Sequence, residues 1–145
     1  MSSDFLGALG SSTMIYHEQQ EDRFLVTTKF DQGIPLNGHD SYIVISSREQ
    51  ELVYDGIPWT STAVSIGQST QYRLIHLPQK PSPSYSIQDL VRDSGSSFAL
   101  IREGNIWKSY FPNSGGNYLL SNHPNLGILL ISPRVDEMTF SKNPW

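Results

Sequence analysis

The chain contains no cysteine. Disulfides, thiolate nucleophiles and thiolate metal sites are therefore excluded at once. Charge is also scarce. Only 17% of residues are charged, and the ten basic side chains occur singly between Arg23 and Lys142, no two of them adjacent. A phosphate backbone attracts clustered Lys and Arg, so nucleic acid is not an expected partner. The net charge of −4 and the missing polybasic stretch argue against an anionic membrane surface in the same way. Long hydrophobic runs are lacking. The longest, 126–131, falls far short of the ~20 residues a spanning helix needs. The first ten residues carry no basic segment and too short an apolar stretch for a secretory leader. No Asn-x-Ser/Thr acceptor occurs either. The expectation is a soluble protein made in the cytoplasm, with no membrane partner and no cofactor.

What remains is polar, weakly charged and rich in turn formers, with 37% apolar residues, 11% aromatics, 11 Gly and 9 Pro. Such a mixture suits β-structure with many turns, and the aromatic content argues against disorder. The clearest local signal is 97–111. Two aromatic-rich apolar runs flank Glu103-Gly104-Asn105, read as a three-residue turn, which predicts a β-hairpin because Gly and Asn tolerate a tight reversal. Further strands are expected at 13–16, 23–30, 41–46, 51–54, 59–66, 71–77, 118–120 and 127–131, rich in β-branched and aromatic residues. The run Tyr42 to Ile45 reads as buried on both faces. One short helix is expected at 87–91. Ser86 is its cap, Asp89 stands at the capping-box position, and Gly95 ends it. Roughly eight to ten short strands without βαβ alternation predict an all-β or β-rich single domain, an antiparallel sandwich or barrel. Its expected organisation is an N-terminal arm at 1–12, a β-rich body at 13–131 and a C-terminal tail at 132–145. A Pro-rich linker at 78–83 separates two strand groups.

Chemical signatures are sparse. His17, His39, His76 and His123 form no H-x-H or H-E-x-x-H pair, so no metal-ligand spacing exists. Asn37-Gly38-His39-Asp40 is the most catalytic-looking stretch, with His39 as base and Asp40 as its orienting carboxylate. Neighbouring side chains in an extended segment point to opposite faces, however, and turn chemistry accounts for the same letters. Serines near Gly95 and Gly115 lack a G-x-S-x-G elbow, and no phosphate-binding glycine pattern occurs. Adjacent carboxylates such as Asp136-Glu137 read as solvated charge.

Aromatics are more suggestive of binding. Trp59, Trp107 and Trp145 offer broad surfaces suited to sugar rings or protein hot spots. Core packing is the expectation for Trp107. Trp145 follows a proline at the end of the tail and reads as an interface anchor, as does the Phe5, Leu6 and Leu9 cluster of the arm. The leading functional expectation is a non-catalytic assembly or adaptor subunit of a larger complex, such as a virus or phage particle. Its partners would be other protein subunits or further copies of itself, and Phe5, Leu6, Leu9, Trp59 and Trp145 would serve as contacts. The alternatives are a carbohydrate- or ligand-binding β-domain using exposed Trp and Tyr, and a hydrolase-like enzyme using His39 and Asp40.

Overall fold

The computed structural model describes residues 1–9, 13–18, 23–36, 42–46, 63–66, 71–77, 79–124 and 126–140. The expected sites His39, Asp40, Trp59 and Trp145 and the expected strand 51–54 lie outside those residues. The described strands pair only antiparallel, and the chain is β-rich. It divides into two compact units, Met1–Trp59 and Thr60–Trp145. The boundary thus falls well before the prolines at 78–83, which lie inside the second unit.

In the first unit, helix α1 (Ser2–Ala8) precedes β1 (Thr13–Glu18), β2 (Arg23–Thr28) and β3 (Tyr42–Ile45). The sheet order is β2-β1-β3. The N-terminal arm is therefore a helix and not an extended tail. Phe5, Leu6 and Leu9 recur at helical spacing, and α1 packs against β1 and β2. Leu6 is fully buried and Leu9 nearly so, as are Met14 and Thr27, which oppose each other in the β1–β2 register. The Ser2 backbone N–H donates to the Ile34 carbonyl at 2.8 Å, and the Ile34 N–H donates to Ser2 Oγ at 2.7 Å. Gly33 permits this contact. Its φ is +74°, and a Cβ there would stand 2.5 Å from Ser3 Oγ. The strand β3, expected to be buried on both faces, is half-buried, and Ile45 is exposed.

The second unit holds β4 (Ala63–Ser65), β5 (Tyr72–Ile75), α2 (Ile87–Asp93), β6 (Phe98–Glu103), β7 (Ile106–Tyr110), β8 (Ile128–Ile131) and β9 (Glu137–Thr139). A four-stranded sheet runs β5-β8-β6-β7, and β4 pairs with β9. No closed barrel forms among the described strands. The two sheets and α2 instead enclose one core in a sandwich-like arrangement. Ile75, Ile128 and Ile101 stand in one register row, and Val64, Ile66, Met138 and Phe140 join them from the β4–β9 side. Ile87, Leu90 and Val91 supply the buried stripe of α2, at the i, i+3, i+4 spacing that puts them on one helix face.

Helix α2 starts and stops where its residues require. The Ser86 N–H donates to Asp89 Oδ2 at 2.9 Å and the Asp89 N–H to Ser86 Oγ at 3.2 Å, completing a capping box. At the other end the Gly95 N–H donates to Arg92 O and the Ser96 N–H to Val91 O, with Gly95 at φ +65°. That pair of bonds is a Schellman closure. Two other expectations need correction. Residues 118–120 form no strand: Leu119 makes a single bridge to Ser86 and a 3-10 turn follows at Leu120–Asn122. The tail from 132 is not peripheral, because β9 and the buried Met138 and Phe140 complete the core.

Candidate functional site

The hairpin of the second unit positions the site. Glu103 pairs with Ile106, so the loop is Gly104-Asn105, one residue shorter than the three-residue turn expected. Gly104 has φ +58° while Asn105 is not among the positive-φ residues, the pattern a II′ hairpin turn requires. A two-residue closure makes Glu103–Ile106 a hydrogen-bonded pair, and bonded and non-bonded pairs then alternate along the ladder. The N–H and C=O groups of Ile106, Lys108 and Tyr110 accordingly face β6. Those of Trp107 and Ser109 face outward from the sheet. Among the described residues β7 is an edge strand.

Alternation also sorts the side chains. Ala99, Ile101 and Glu103 lie on the face turned toward the core, opposite Tyr110, Lys108 and Ile106. The other face is apolar as well. One row runs Tyr72–Ile131–Phe98, the next Leu74–Leu129–Leu100–Ser109, and Arg102 stands opposite Trp107. This second face opens toward β7. On this face Leu74 is 3% exposed, whereas Trp107 is 46% and Phe111 49% exposed; Ile106, at the turn on the opposite face, is 63% exposed. The Phe111 ring rests on Phe98 with centroids 5.3 Å apart. Trp107 and Phe111 thus flank the small Ser109 on one strip beside a strand edge that is unpaired among the described residues. Trp107 is not a core residue as expected, because its strand ends the sheet instead of lying within it.

On the opposite side of the hairpin, Lys108 forms an ion pair with Glu103, and the Tyr110 hydroxyl donates to Glu103 Oε1 at 3.4 Å. Tyr110 packs against Tyr118 at 5.5 Å, and Tyr118 stacks on His123 at 4.5 Å with planes 16° apart. The hydrogen bond from Lys108 holds the Glu103 carboxyl below its ordinary range, and the same bond raises Lys108. Burial raises Tyr110 and Tyr118. Each shift moves its group further from neutrality. Such shifts reinforce an ion pair and do not poise an acid or base for proton transfer.

The other sites expected from the sequence are placed as follows. Phe5 is half-buried, and Leu6 and Leu9 are buried within this chain. His123 sits on Tyr118, His76 is half-buried, and His17 lies in β1 and not in a turn. Among the described residues no group of three His, Asp or Glu side chains is placed to hold a metal ion, and no helix is long and apolar enough to cross a membrane. No family model, curated protein or solved structure matches this chain.

Proposed function

We propose that this chain is a non-catalytic assembly or adaptor subunit that contacts another protein through the edge of β7 and the apolar strip beside it. The observation that carries this reading is the exposure of Trp107 and Phe111 on one face of a strand whose outward backbone groups meet no partner strand among the described residues. An open edge is a template for strand addition, and natural proteins ordinarily shorten, bulge or cover it. Lys108 is the one charge on β7, and its ion pair with Glu103 blunts it as a guard. Aromatic anchors beside main-chain bonds would provide the affinity, since Trp is among the residues most enriched in protein hot spots.

Light scattering coupled to size exclusion, applied to the protein recovered from the cells that make it, tests the reading. The proposal expects a mass well above 16.3 kDa, with partner chains lost from the Trp107→Lys and Ser109→Pro variants. Proline at 109 removes an outward N–H and no bond to β6, so the hairpin itself is expected to survive. A 16.3 kDa species, or variants that retain every partner, overturns it.

The half-exposed Trp107 also supports a second reading, stacking on a sugar ring. A change of tryptophan fluorescence on glycan addition, lost in Trp107→Ala while the chain stays monomeric, would favour it. Unchanged fluorescence across a glycan panel would remove it.

A further inference from the structure

A cavity of about 300 Å³ lies in the second unit, away from the β7 edge in sequence, lined by Tyr85, Asp93, Val135, Glu137, Met138, Thr139 and Phe140. Two of these residues are anionic and none is cationic. Asp93 is the last residue of α2, and the C-terminal end of a helix carries the negative pole of its dipole. The nearest basic side chain on the helix, Arg92, is engaged by Asp89. Tyr85 and Phe140 meet edge to face, with centroids 6.1 Å apart and planes at 81°. They supply two ring walls at right angles. The Tyr85 hydroxyl donates to Asp93 Oδ2 at 2.9 Å, which fixes one side of that carboxylate and leaves Oδ1 for a ligand.

We infer that this cavity binds one organic cation, an alkylammonium or guanidinium head, in the corner beside the Tyr85 and Phe140 rings with Asp93 and Glu137 as counter-charges. Aromatic faces attract cations electrostatically, and carboxylates at the rim add to that attraction. An anion would meet two like charges. A neutral apolar guest would strip water from both carboxylates without replacing it. A metal ion finds too few ligands, since no group of three ligating side chains occurs among the described residues. The volume stands at the small end of ligand pockets, which fits a single head group with a short stem. Burial first, then the hydrogen bond to Asp93 and the charges of Asp93 and Asp89, push the Tyr85 phenol far above its ordinary range, against the opposing Arg92. A free small molecule and a lysine or arginine side chain of a peptide present the same chemistry to the site.

The test is a titration of the full-length, nitrogen-15-labelled chain with tetramethylammonium chloride, methylguanidinium chloride and N-acetyl-lysine methylamide, each against sodium chloride at equal ionic strength. The inference expects saturable amide shifts at Asp93 and at 135–140 with at least one organic cation and none with sodium. Saturation by tetramethylammonium alone identifies a free small cation, and saturation by the lysine derivative identifies a peptide side chain. Glu137→Gln and Asp93→Asn, both at exposed positions, are expected to weaken binding by about fivefold or more with unchanged circular dichroism. Shifts that sodium reproduces, or affinities unchanged in both variants, overturn the inference.

Discussion

Ile101 and Ile106 belong to the same hairpin and present the same side chain to opposite fates, so truncating each to alanine isolates the effect of burial. Ile→Ala removes three carbon groups, worth about 0.8 kcal/mol each when fully buried, or about 2.4 kcal/mol in all. Ile101 is 0% exposed. It stands between Ile128 of β8 and Lys108 of β7 in the register. Its truncation also leaves a void that the core rows on either side cannot close, which raises the expected loss to about 3–5 kcal/mol. Ile106 is 63% exposed, so roughly a third of the transfer term applies, about 0.9 kcal/mol, with no cavity. Urea unfolding followed by circular dichroism, with slopes compared to confirm an unchanged transition, measures both. The expected ratio of losses is at least about threefold. Equal losses would refute the reasoning, because Ile106 would then be as enclosed as Ile101 and the β7 edge would not be open.

Further outcomes follow from other elements. Ser86→Ala removes the hydroxyl half of the capping box and is expected to cost about 1 kcal/mol, read by the same urea titration. Asp89 is held below its ordinary value of 3.8 by the Ser86 N–H and hydroxyl. Its contribution is therefore present above that pH and is lost as pH falls through the lower folded value, so an acid titration of Ser86→Ala should show a shallower loss than the parent chain. Tyr85 has the opposite sign: its folded pKa lies above the ordinary 10.0, so its contribution is complete below about pH 10 and disappears above it. Near-ultraviolet tyrosinate absorbance should show Tyr85 ionising only as the second unit unfolds, and a Tyr85 that titrates freely near its ordinary value would contradict the contact with Asp93. Gly104→Ala meets open space and only its φ of +58° opposes it, whereas at Gly33 a Cβ meets Ser3 Oγ at 2.5 Å in addition to a φ of +74°. The first is expected to cost about 1–2 kcal/mol and the second more, a ranking that thermal melts of the two variants check.

Local chemistry explains which features could be read from the residues. The capping box at Ser86 and Asp89, the stop at Gly95 and the reversal at Gly104 are all set within a few residues, and each lies where its letters point. Burial was harder to read because it depends on strand order. Trp107 has the composition of a core residue, but β7 is outermost among the described strands of its sheet, and nothing within 106–111 records that order. Met138 and Phe140 posed the converse problem. Set among Asp136, Glu137 and Lys142 they resemble a polar tail, yet pairing with β4 draws both into the core. The helix α1 was signalled by the spacing of Leu6 and Leu9, but two glycines and four serines within the first twelve residues obscured it, since both residue types favour non-helical backbone. The cavity beside Tyr85 joins residues some fifty positions apart in the chain, a juxtaposition that only folding creates.

The central claim is that the outward backbone groups of β7 are held for a partner strand. Amide hydrogen exchange on the isolated chain and on the complex recovered from cells measures this at single residues. The account predicts that Ile106, Lys108 and Tyr110 amides are protected in both, and that Trp107 and Ser109 exchange rapidly in the isolated chain and become protected in the complex. Rapid exchange at Trp107 and Ser109 in the complex as well would contradict it.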